Sequence, residues 1–99
     1  MKIVISFIMK PELYILELNN GQYYIGCTEN LPRRITEHRS GKTVSIKYKL
    51  PFELVFHEEC DSNADARKAE SFIKKQKSKI FTKKVIEGKI SLGSILGGR

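Results

Sequence analysis

Apolar and polar residues alternate along most of the chain in short blocks, and the period of each block predicts an element. Glu12–Leu18 and Gln22–Cys27 are aromatic- and Ile/Leu-rich runs separated by Asn19-Asn20-Gly21, which predicts a β-hairpin. A three-residue loop pairs Leu18 with Gln22 and puts Tyr14, Tyr24 and Gly26 on one face, whereas a two-residue loop would separate the tyrosines. Gly21 suits the left-handed position of the longer loop, so we expect that register.

Leu31 to about Ser40 reads as a helix, with Asn30 as N-cap, Pro32 in the first turn and Gly41 just beyond the end. Leu31, Ile35 and His38 form one stripe, and Arg34 falls on it. Thr43 to Pro51 reads as a basic, irregular connection carrying Lys47 and Lys49, just after Lys42. Phe52, Leu54 and Phe56 alternate with Glu53, Val55 and His57, which predicts a third strand with His57 turned to solvent. Ser62 with Asp65 opens a further helix as a capping box, and Ala66, Ala69, Phe72 and Ile73 make its expected buried face. Lys79 to about Glu87 is a short last helix with Ile80, Phe81 and Val85 apolar, and the Gly/Ser-rich remainder from 88 to 99 is expected to fray. The order of elements predicts an α+β domain over 11–87, a three-stranded, mainly antiparallel sheet flanked by helices. Residues 1–10 form an N-terminal extension. Ile3 to Met9 is apolar but far short of a membrane span, and fits an extra edge strand or an untranslated leader to a start at Met9.

Charge changes the picture from fold to partner. The 99 residues carry a net charge of +7, which points to a polyanion, with nucleic acid the default and an anionic membrane surface the alternative. Cys27 and Cys60 are too few for a disulfide framework and lie in no metal-binding spacing, so they read as reduced, buried thiols of a cytoplasmic protein without a zinc site.

Several motifs then fall in register. Tyr24-Ile25-Gly26 leads into Cys27-Thr28-Glu29-Asn30-Leu31-Pro32-Arg33-Arg34, followed by Glu37-His38 and Ser40-Gly41-Lys42. Upstream stands Leu13-Tyr14-Ile15; downstream stand Pro51-Phe52-Glu53-Leu54-Val55-Phe56 and Asp65-Ala66-Arg67-Lys68-Ala69-Glu70. This series resembles the GIY-YIG nucleases, in particular small stand-alone members related to the nuclease domain of bacterial excision repair. The first motif departs from the pattern, with Leu-Tyr-Ile for Gly-Ile-Tyr. Cys27 stands where some members carry lysine.

The resemblance implies a metal-dependent DNA endonuclease, leaving a 3′-hydroxyl and a 5′-phosphate, in repair or recombination. It implies that Arg34 binds the scissile phosphate with a planar, permanently charged fork. The alternative is an arginine stem covering apolar surface with its head in water. Glu70 falls at the family's metal ligand, and a single carboxylate with waters suits Mg²⁺ or Mn²⁺. An ordinary surface pair with Lys74 is the competing reading. Tyr14 and Tyr24 would manage the water's proton beside Gly26, whose missing side chain leaves room for a phosphate, and His38 is an alternative general base. Arg33, Lys42, Lys47, Lys49 and Lys74, with Lys75 and Lys77, make a candidate backbone-binding rim. Two other functions stay open. One is a DNA-binding module that has lost catalysis. The other is a subunit that takes its specificity for branched or nicked DNA from a protein partner.

Overall fold

A computed structural model describes residues 10–97 of the chain; the expected N-terminal edge strand lies outside them. The elements run β1 (Glu12–Leu18), β2 (Tyr23–Thr28), α1 (Leu31–Arg39), α2 (Val44–Lys47), β3 (Phe52–Glu59), α3 (Asn63–Gln76), α4 (Lys79–Ile86) and α5 (Leu92–Ile95). The three strands form one antiparallel sheet in the order β2-β1-β3.

β1 is the middle strand and is covered on both faces, which explains its nearly unbroken apolar run Leu13-Tyr14-Ile15-Leu16. Leu13 and Ile15 join Ile25, Ala66, Ala69, Ile73, Val85 and Leu92 in the core beneath α3 and α4. Tyr14, Leu16 and Leu18 join Leu31, Ile46 and Phe52 in a second core beneath α1 and α2. The hairpin takes the three-residue loop: Leu18 N–H donates to Gln22 O at 2.8 Å, and Tyr14 faces Gly26 while Leu16 faces Tyr24. Gly21 supplies the left-handed turn with φ +83°.

The third strand departs from strict alternation. A bulge sets Leu54 opposite Leu16 but Phe56 opposite Ile15, so Val55 is the extra residue. Phe52 therefore packs under α1, whereas Val55 and Phe56 pack on the opposite core. Beyond the bulge His57 faces Tyr14 across the pair, exposed as expected and bonded to Glu12 at 2.8 Å.

The helices begin where the caps predicted. Asn30 accepts from Arg33 N–H at 3.1 Å, and Ser62 accepts from Asp65 N–H at 3.1 Å. Other expectations need correction. The connection after Gly41 contains α2, a turn of helix held by the fully buried Ile46. Phe72 is largely exposed and packs against Phe81 at 5.9 Å between ring centres, and Ile80 faces solvent while Thr82 takes the buried position beside Val85. The glycine-rich segment after α4 is not frayed up to Gly97: Ser91 caps α5, and Leu92 is buried against α3.

Candidate active site

The face of the sheet under α1 gathers five of the predicted residues. Tyr14 is 1% exposed and points across to Gly26, where an ideal Cβ would stand 2.6 Å from the Tyr14 hydroxyl. Gly26 is thus a glycine because the phenol fills the space a side chain would need. The gap expected there for a phosphate is occupied by Tyr14.

The Tyr14 hydroxyl lies 2.7 Å from His38 Nε2, and His38 Nδ1 lies 2.7 Å from Thr43 Oγ1. His38 is completely buried, and burial with the nearby Arg34 charge pulls its pKa down to about 4. It is therefore neutral at ordinary pH, with both ring nitrogens engaged. The Tyr24 ring meets His38 edge-on at 5.1 Å and lies 6.3 Å from Tyr14; Phe52 closes the far side, 6.3 Å from His38.

Arg34 enters this cluster from α1. Its Nη1 donates to Glu37 Oε1 at 3.1 Å, and the nearby hydroxyls of Tyr14 and Tyr24 favour its charged form. Burial alone would lower its pKa, but these acceptors more than offset that, so its charge is permanent. With the Arg34 charge facing the Tyr14 oxygen, we assign the phenol proton to His38 Nε2 and the imidazole proton to Thr43. Burial pushes the Tyr14 pKa well above the ordinary tyrosine value, so the phenol stays protonated. The expected roles of Tyr14 and His38 in taking a proton from water find little support in this geometry. A phenol that holds its proton faces an imidazole that resists one.

Glu70 stands on the α3 side of β2. Its carboxylate accepts from Lys74 Nζ at 2.5 Å and lies near the Cys27 thiol, whose pKa is raised to about 11 by burial and then by that carboxylate. β2 therefore links both groups: Tyr24 and Gly26 face the Arg34 cluster, and the intervening register sends Cys27 towards Glu70. Among the described residues no three His, Cys, Asp or Glu side chains converge on one point. A single carboxylate still fits Mg²⁺ or Mn²⁺, which keep most of their waters. The Lys74 ammonium marks where positive charge is already accepted.

Arg33 and Lys42 are exposed near α1, and Lys47 is exposed on α2, while Lys49 bonds Gln22 at 3.0 Å. Lys74, Lys75, Lys77 and Arg67 border an open groove beside Glu70 of about 510 Å³. Sequence reasoning missed Glu37 and Thr43. The first had a signal, an acid three positions after Arg34 on a helix. The second had none, because Thr43 reaches His38 only once α2 folds back.

Comparison with known proteins agrees with this arrangement. The GIY-YIG catalytic domain matches residues 10–84. A UPF0213 protein of Streptococcus pneumoniae is 36% identical over 69 residues, which is 69% of this chain and 70% of that protein. A UPF0213 protein of Streptococcus pyogenes is 35% identical over 71 residues, covering 71% of this chain and 77% of its own. The solution structure of a UPF0213 protein from Bacillus halodurans superposes with a TM-score of 0.54 at 33% identity, covering 82% of this chain and 86% of that one. With the tyrosine pair, the helix arginine and the edge-strand glycine in one cluster, the chain belongs to the GIY-YIG nuclease superfamily, among the small single-domain UPF0213 proteins.

Proposed function

We propose that the protein is a divalent-metal-dependent DNA endonuclease. The observation that carries this reading is Arg34, a permanent cation held by Glu37 beside the Tyr14 and Tyr24 hydroxyls with a third of its side chain still open to solvent. A guanidinium held this way is prepared for an anion and loses little freedom on binding one. Arg34 binds the scissile phosphate, and Tyr24 orients the water that attacks phosphorus. As the new P–O bond forms, the bond from phosphorus to the 3′-oxygen breaks; the attacking water gives its proton to bulk water, and the departing 3′-oxygen takes one from bulk water. Glu70 would hold one Mg²⁺ or Mn²⁺, which supplies a Lewis acid beside the phosphate when bound. Tyr14 and His38 are positioning residues: buried, interlocked and braced by Thr43, they fix the guanidinium and the Tyr24 ring. Arg33, Lys42, Lys47, Lys49 and Lys74 line the DNA backbone. We place the protein in the cytoplasm, in repair or recombination.

Nicking of supercoiled and branched DNA with Mg²⁺ or Mn²⁺ tests this. Wild type should cut, and Arg34→Ala and Glu70→Gln should each lose roughly 100-fold or more while keeping most DNA binding. Wild type that binds these DNAs and cuts none with either metal would instead make it a binding module serving a partner protein.

A further inference from the structure

The segment that leaves α1 turns an unusual pair of side chains outwards. Ile46 is fully buried beside Tyr14 and Leu31 and pins α2 to the second core. On the opposite side Val44 is 81% exposed and Tyr48 is 83% exposed, more than any other large apolar side chain among the described residues. Four positions apart, they stand one helical turn from each other on the same side.

Their surroundings are cationic. Lys47 Nζ lies 5.4 Å from the centre of the Tyr48 ring, and Lys42 and Lys49 flank the turn. Among the described residues none of these lysines is ion-paired with a carboxylate. The turn is also firmly mounted. Asn19 N–H donates to Lys49 O at 3.1 Å, Asn19 Nδ2 donates to Leu50 O at 2.6 Å, and Thr43 immediately before α2 bonds His38 at 2.7 Å.

An exposed aromatic ring bordered by unpaired lysines matches an unstacked base bordered by phosphates. An intact duplex offers phosphates but no open base face, because its bases are covered above and below. We propose that α2 is a wedge for a discontinuity in duplex DNA: Tyr48 stacks on the unpaired or terminal base at a nick, flap or branch. Val44 packs beside that base, and Lys42, Lys47 and Lys49 hold the flanking phosphates. This rests on the nuclease reading and names its substrate class. Since Thr43 joins the wedge to His38, the discontinuity is held at a fixed distance from Arg34.

The test is binding without metal, so that it does not depend on cutting. Fluorescence anisotropy in EDTA compares intact, nicked and flapped duplexes of one sequence, with 2-aminopurine at the discontinuity as a stacking probe. Wild type should prefer the nicked and flapped forms and quench 2-aminopurine. Tyr48→Ala should weaken those forms by roughly 5- to 100-fold and abolish quenching, with the intact duplex nearly unchanged. Tyr48→Phe should behave as wild type. Circular dichroism should show that both variants fold, as the exposure of Tyr48 requires. Equal binding of all three DNAs, or equal losses on all three in Tyr48→Ala, would overturn the proposal. So would concentration-dependent self-association that Tyr48→Ala removes, which would make the turn a protein interface. Failure of the nuclease reading looks different: no cutting with metal, with the preference for discontinuities intact.

Discussion

Gly26 is held to glycine by its neighbour and not by its backbone, since its φ is not positive and its place is taken by the Tyr14 hydroxyl at 2.6 Å from a would-be Cβ. Gly26→Ala should cost about 1–3 kcal/mol by overpacking and should also displace the phenol that Arg34 rests on. Tyr14→Phe, which leaves the buried His38 Nε2 without its donor, should cost about 1–3 kcal/mol. Urea unfolding of the two variants checks both values. His38 makes a pH-dependent contribution whose sign follows from its depressed pKa. Between the ordinary value of 6.5 and its folded value of about 4, the unfolded chain binds a proton that the folded chain refuses. The stability tied to neutral His38 is full above pH 6.5 and is lost as pH falls through this window, by about 3 kcal/mol in all. The urea midpoint of wild type should fall between about pH 7 and about pH 5, and that of His38→Gln should fall much less. An equally steep fall in the variant would locate the effect in another group.

At the scale of elements, the parts with local signals were legible and the parts set by distant contacts were not. Asn19-Asn20-Gly21 fixed the hairpin register in advance, because a left-handed glycine selects the loop and the loop selects which tyrosines share a face. Asn30 and Ser62 likewise marked two helix starts through their own side chains. The bulge at Val55 carried no such mark. Leu54, Val55 and Phe56 are all apolar, so either face could claim them, and the choice is made by β1. α2 escaped detection because one residue, Ile46, decides it, and a single apolar position has no period. Of the site, the stripe carrying Arg34 and His38 was readable from helical spacing. The filling of Gly26 by Tyr14 and the nearness of Glu70 to Cys27 arise only across strands and between elements. Composition misled most in the glycine-rich segment, where Leu92 is 3% exposed. Leu92→Ala should therefore destabilise the domain by about 2–5 kcal/mol in urea unfolding, whereas substitution in a frayed tail would cost nothing measurable.

For the whole molecule, a net charge of +7 predicts that DNA affinity falls steeply with salt. Each lysine that contacts a phosphate should contribute about 0.9 to the slope of log K against log salt on duplex DNA. Lys42→Gln and Lys49→Gln should each flatten it by about that amount, in titrations over a series of salt concentrations; an unchanged slope in both would remove them from the backbone contacts. The arrangement that places these charges around one sheet also makes β1 central while β3 follows it by about forty residues. On a ribosome adding roughly 5–20 residues per second, several seconds pass between the emergence of β1 and that of its outer partner. During that interval the newborn hairpin has neither its third strand nor α3 and α4, which cover Leu13 and Ile15, and it is then, rather than after folding, that the chain is most open to capture by chaperones or to pairing with another copy of itself.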